Sequence, residues 1–147
     1  MPQFQGSGFT VTLPEVCYDA SAYTFVLPEY NGFAPSLVIR FEDVAPATDL
    51  KAYADKALRS LSGQLEGFEL VKRIAGKRGD WDGVLATVEW GQGAARMIQK
   101  HVYMLVAGKT ARIYILTTTD RAANAEQSNP VFDQILRSFT PNQIQFI

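Results

Sequence analysis

Side chains able to act as acid, base, nucleophile or metal ligand are few in this sequence, and they are scattered. His101 is its single histidine and Cys17 its single cysteine, while Asp80 and Asp82 flank Trp81 in a glycine-rich stretch. A histidine titrates near neutral pH and can shuttle a proton. A cysteine becomes a nucleophile when a neighbouring base or cation favours its thiolate. Two close carboxylates can hold a hard cation or divide the acid and base roles. None of these groups has its complement nearby in sequence. His101 alternates with Met97, Gln99, Tyr103 and Leu105, which predicts a structural histidine on a half-buried strand. Cys17 has no flanking base and is assigned a structural role; alone, it excludes an intramolecular disulfide. Asp80 and Asp82 are what a tight turn favours, and Glu42 with Asp43, or Glu15 with Asp19, carry no stronger signal.

Motifs that would override this reading are missing. A lone histidine without clustered cysteines does not predict zinc, and the twelve-residue calcium loop is absent. Gly6-Ser7-Gly8 has no strand before it, and Gly91-Gln92-Gly93 lies between strands rather than before a helix, so neither is a phosphate cradle. The expectation is a non-enzyme with no cofactor and no metal. A site assembled from His101, Asp80 and Asp82 is the catalytic alternative.

Composition narrows the class further. The chain has 147 residues, 47% of them hydrophobic and 20% charged, with a formal net charge of -1. These values predict a single globular domain over residues 1–147. Near-neutral charge argues against a nucleic-acid partner, and the basic cluster Lys72, Arg73, Lys77 and Arg78 reads as a solvated strand end and turn. The opening Met-Pro-Gln-Phe-Gln-Gly-Ser-Gly has neither a basic start nor an apolar stretch, unlike a signal peptide. The longest apolar run, Val102 to Ala107, is too short for a membrane span. A cytoplasmic protein without stable membrane insertion is expected.

The elements follow from periodicity and punctuation. Phe9–Leu13, Ala22–Leu27 and Leu37–Phe41 alternate as strands, with an Asn31-Gly32 turn between the last two. Leu50, Tyr53, Ala54, Ala57, Leu58, Leu61 and Leu65 share one helical face. Thr48 or Asp49 is placed to cap that helix, Gly67 to end it, and Gly63 to end it early. Glu69–Ile74 is predicted as a strand, with a turn holding Gly76, Gly79, Asp80, Asp82 and Gly83. Val84–Trp90, Ala95–Val106 and Ala111–Thr118 then form an antiparallel meander, the last two joined at Gly108-Lys109. Ser128 or Asn129 would cap a final helix carrying Pro130 in its first turn and Phe132, Ile135, Leu136 and Phe139 on its apolar face, stopped by Pro141. The fold class is α+β: an antiparallel sheet of about six to seven strands packed with two main helices.

The order and spacing of these segments resemble the DcrB-like family. The resemblance rests on Phe9-Thr-Val-Thr-Leu13-Pro14, Asp19 with Ser21, Tyr23-x-Phe25-x-Leu27-Pro28, Ser36 to Arg40, Asp49-Leu50 with Tyr53, Leu65-x-Gly67-Phe68 and Lys72-Arg73. It continues through Val84 to Trp90, Gln99, Leu116 to Thr119 and Phe132 to Phe139. It implies an α/β/α sandwich similar to the PsbP and Mog-type proteins. Within the family, a leaderless chain of this length resembles the Eag chaperones of type VI secretion. That implies a homodimer binding the apolar N-terminal transmembrane segments of secreted effectors. The alternative is a general envelope-associated DcrB-like binding protein. For the polypeptide-binding face we assign Ala22, Thr24 and Val26, with Val38 and Arg40 beside them on the next strand, and leave Tyr23, Phe25 and Leu27 to the core. The family's chaperones tend to carry larger aliphatics than Ala22 and Thr24 there.

Overall fold

A computed structural model describes residues 1–108 and 110–141. The strands are β1 (Gln3–Gly6), β2 (Phe9–Thr12), β3 (Ala22–Val26), β4 (Ser36–Val44), β5 (Glu69–Arg78), β6 (Trp81–Trp90), β7 (Met97–Val106) and β8 (Ala111–Arg121). The helices are α1 (Leu50–Gln64) and α2 (Ala125–Ser138). β1 and β2 form a separate hairpin; the other six strands make one antiparallel sheet in the order β3-β4-β8-β7-β6-β5. The α+β class expected from the sequence is the one observed.

The β4–α1–β5 connection carries the chain over the sheet to its far edge. The β5–β8 meander then returns strand by strand until β8 pairs with β4. Parity along the strands divides the core into two layers. Tyr103, Ile113, Ile115, Val84, Ala86 and Val88 face α1 and pack on Leu50, Ala54 and Leu58. Met104, Val106, Tyr114, Leu116 and Leu37 face the other way and pack on Phe132 of α2. Each fully buried side chain of this size contributes about 1.5–3 kcal/mol, so the sheet is held from both sides.

Asp49 caps α1, its carboxylate accepting from Lys51 N at 3.0 Å and Ala52 N at 3.4 Å. The helix runs through Gly63 without ending, and its cap, Leu65, is extended. Gly67 does take a left-handed φ of +69°, and a Cβ there would lie 3.3 Å from the Gly91 carbonyl oxygen. Two turns cross at that point, tied by Gly91 N donating to Glu66 O at 2.8 Å.

Several boundaries differ from the expectation. Gly6 ends β1, and Ser7-Gly8 is the turn of the β1–β2 hairpin. The alternation of Gln3–Gly6 is too short to announce a strand by itself. β5 continues to Arg78, and its ladder pairs Gly76 with Gly83 and Lys77 with Asp82. The turn between β5 and β6 is therefore Gly79-Asp80 alone, and Gly76, Asp82 and Gly83 belong to strands. α2 begins at Ala125, so Ser128 lies buried within it and Pro130 is its sixth residue rather than part of its first turn. A 3-10 turn, Ala122–Asn124, leads into the helix and supplies the nucleus that the cap was expected to supply. Lys109, placed in the β7–β8 turn, lies outside the described residues.

Candidate functional site

β3 is an edge strand, and the two helices leave it largely uncovered. Its register against β4 pairs Ala22 with Arg40, Thr24 with Val38 and Val26 with Ser36. Across β4, Val38 faces Thr117 and Arg40 faces Ile115 on β8. Ala22, Thr24, Val26, Val38 and Arg40 are thus brought together on one face, the α1 side of the sheet. Every residue of β3 is exposed, Val26 at 67%. Val38 is half-buried and Arg40 exposed.

The opposite face of β3 departs from the expectation. Tyr23 and Phe25, assigned to the core, are 65% and 52% exposed. Leu27 is half-buried against the α2-side cluster. The alternation of β3 has the right period, but α2 packs chiefly over β8 and leaves all five residues of β3 exposed. β3 therefore presents apolar side chains on both faces. Only coverage by a helix distinguishes such a strand from a core strand, and coverage is a tertiary property.

Beside the assigned face runs a hydrogen-bonded chain that the sequence reading did not assemble. Gln99 Nε2 donates to Thr119 Oγ1 at 3.0 Å, while Gln99 Oε1 lies 2.9 Å from His101 Nε2. Thr117 Oγ1 lies 3.4 Å from His101 Nδ1. These contacts fit a neutral imidazole that donates through Nε2 and accepts at Nδ1. His101 is buried, 5% exposed. Burial and, secondarily, the charge of Arg40 hold its pKa down to about 4. Its ring lies parallel to Tyr103 with centroids 6.4 Å apart. The register signal for this chain was present, since Gln99, His101, Thr117 and Thr119 all have one parity, but only pairing β7 with β8 joins them.

The same helix-facing side carries Tyr53, whose hydroxyl donates to Glu42 Oε2. Burial first, then that hydrogen bond, raises the Tyr53 pKa. Asp43 accepts from Arg112 Nε at 2.7 Å and Nη2 at 3.3 Å, and the guanidinium stacks 3.8 Å over Phe41. Both acidic residues of this pair are thus committed to structural partners.

The remaining candidates do not converge. His101 pairs with Ala86, whereas Asp82 pairs with Leu105, so the two are four residues, or about 13 Å, apart along the ladder. Asp80 sits in the turn beyond Asp82. Cys17 is exposed in the segment between β2 and β3. Ser21 N donates to Asp19 Oδ1 at 2.8 Å, and hydrogen bonds from Ser21 lower the Asp19 pKa. The basic cluster is divided by the strand: Arg73 bridges to Asp55 at 2.9 Å, while Arg78 Nη1 donates to Leu136 O at 2.7 Å. Among the described residues, no three His, Cys, Asp or Glu side chains gather as a metal site. No helix there is long and apolar enough to cross a membrane.

Comparison with known proteins agrees with this architecture. The fold matches that of PA94 from Pseudomonas aeruginosa, a protein of unknown function described as a candidate regulator, with a TM-score of 0.75, 21% identity and 97% of each chain covered. It also matches LpqN, involved in cell envelope biogenesis of Mycobacterium tuberculosis, with a TM-score of 0.53 and 11% identity over 74% of this chain and 76% of that one. A search of curated proteins finds no match. A sequence model of the DcrB family matches residues 9–138, from β2 to the last residue of α2. The chain belongs to the DcrB family.

Proposed function

We propose that this DcrB-family protein is a binding protein, not an enzyme, and that it holds an apolar helical polypeptide on the exposed edge formed by β3 and β4. The observation that carries this reading is the projection of β3 beyond both helices, with Tyr23, Phe25 and Val26 all more than half exposed. Large apolar side chains gathered on a rigid strand mark an interaction surface. On the α1 side, Ala22 and Thr24 are small enough for a helix backbone to approach closely, and Arg40 offers a donor at the rim.

The cargo we assign is the N-terminal transmembrane segment of a type VI secretion effector, held before export from the cytoplasm. Such a segment has about 20 apolar residues. Burying about 1,000 Å² of it at about 25 cal/mol per Å² gives on the order of 25 kcal/mol gross, from which association and ordering costs subtract heavily. Covering part of a segment is therefore enough for useful affinity, and no nucleophile is required.

The test is co-expression with the apolar N-terminal fragment of an effector encoded beside this gene, followed by affinity capture. The expected result is a soluble complex that Thr24→Asp and Val38→Asp abolish, because each buries a carboxylate against an apolar helix. A fragment that stays insoluble with and without the protein would reject this cargo. The second reading is then an envelope-associated binding protein with another ligand. Its support is the fold shared with a protein described as involved in cell envelope biogenesis.

A further inference from the structure

The opposite end of the sheet holds a different feature, on the α2 side and at the β5 edge. There α2 leaves β5 and β6 uncovered, and a slot of about 410 Å³ opens between them and the helix. This volume lies within the range of about 300–1,000 Å³ usual for small-molecule sites. Leu136 and Phe139 form one wall, Ile74, Leu85 and Trp81 the other, and Met104 closes the inner end.

The floor of the slot is a pair of glycines. Gly76 and Gly83 are direct partners in the ladder, and neither has a positive φ. A Cβ on Gly76 would meet no atom within 4 Å, and one on Gly83 would come no closer than 3.6 Å, to the Tyr103 carbonyl oxygen. Backbone geometry and packing therefore both permit side chains here. Glycine inside a strand costs about 0.5–1 kcal/mol relative to alanine. It commonly marks a bulge, a bend or the close approach of a ligand. The bulge in β5 lies elsewhere, between Leu70 and Lys72. What the two glycines accomplish is to leave a narrow channel open between the Trp81 and Ile74 ridges.

Three of the four charged side chains lining the slot, Lys77, Arg78 and Arg137, are cationic. Arg78 and Arg137 line it, and among the described residues neither takes part in an ion pair. Arg78 spends one N–H on Leu136 O and keeps further donors in its guanidinium fork. The lining carboxylate, Asp133, is taken by Lys100 Nζ at 3.0 Å. A slender apolar channel ending beside two guanidinium groups complements an alkyl chain with an anionic head.

We propose that the slot between α2 and the β5–β6 hairpin binds a medium-chain fatty acid, with its alkyl chain over Gly76 and Gly83 and its carboxylate at Arg78 and Arg137. This site lies on the other face and at the other edge from the polypeptide surface, and it does not rest on that reading.

The test is calorimetric titration of the full chain with laurate below its micelle-forming concentration. Saturable one-to-one binding is expected. Gly76→Val adds bulk in the channel from a position where a Cβ meets no atom within 4 Å, and valine favours the strand, so the variant should fold normally and lose laurate at least about tenfold. Arg137→Gln, at an exposed helix terminus, should weaken laurate but not dodecanol by about tenfold, the scale of one charge-assisted hydrogen bond. Absence of laurate binding, or equal binding by the wild type and Gly76→Val, would overturn the proposal. Dodecanol binding as tightly as laurate would overturn the anionic head. The acyl arm of a membrane lipid shares this chemistry. Flotation with phosphatidylglycerol vesicles in the absence of laurate binding would therefore overturn the assignment to a free acid.

Discussion

His101 illustrates how burial decides the role of a titratable group. Its ordinary pKa of 6.5 falls to about 4 in the folded protein, because desolvation disfavours the charged ring and Arg40 adds a like charge. The unfolded chain therefore binds a proton between these values that the folded chain refuses. Stability is full above pH 6.5 and is lost progressively as the pH falls towards 4. The total contribution is about 3 kcal/mol. Urea unfolding at pH 7, 6 and 5 should show this slope, and His101→Gln should flatten it. Identical slopes in both proteins would show that another group carries the effect. The place of this residue on a partly buried strand could be read from strand alternation alone. Its partners Gln99, Thr117 and Thr119 could not, because cross-strand register is set by turns far from them.

At the scale of elements, the contrast between β3 and β4 is the informative one. Leu37 is 3% exposed and its ladder partner Phe25 is 52% exposed. Leu37→Ala should therefore cost about 2–5 kcal/mol, the range for emptying a core position. Phe25→Ala should cost less than about 1 kcal/mol, close to a surface change. Thermal or urea unfolding of the two variants decides this, and equal losses would mean that β3 is covered in solution. Helix periodicity made α1 legible almost residue by residue, cap included. β5 was read four residues short because glycine and aspartate usually signal turns, and here Gly76, Asp82 and Gly83 stay within the ladder. The start of α2 was read late because Ser128, Asn129 and Pro130 imitate a helix entrance while the 3-10 turn at Ala122–Asn124 provides the real one.

For the whole molecule, both outer strands of the sheet expose backbone edges and apolar side chains: Tyr23, Phe25 and Val26 on β3, and Leu70, Val71 and Ile74 on β5. Uncovered edges of this kind template pairing with another chain. We expect a homodimer, and light scattering across a dilution series should report twice the chain mass. Phe25→Lys should return the monomer if β3 is the joining edge, and Ile74→Lys if β5 is. A monomer at every concentration would reject the dimer. The fold class was legible from the order of the elements, whereas the exposure of Tyr23 and Phe25 was not. It depends on where two helices stop, which no local pattern encodes.

The placement of β8 has a consequence for how the protein is made. One of the two central strands of the sheet is the last strand in the chain. A ribosome delivers residues from the N-terminus at about 5–20 per second, so β3, β4 and α1 emerge well before their partners. A two-stranded fragment is at best marginally stable in water. The apolar stripe of α1 packs on Val84, Ile113 and Ile115, which at that stage have not been synthesised. The newborn chain thus waits with its helix unprotected, and β8 completes the sheet by inserting between β4 and β7. The apolar stripe of α1 therefore stays uncovered until the strands it packs on have been made and paired.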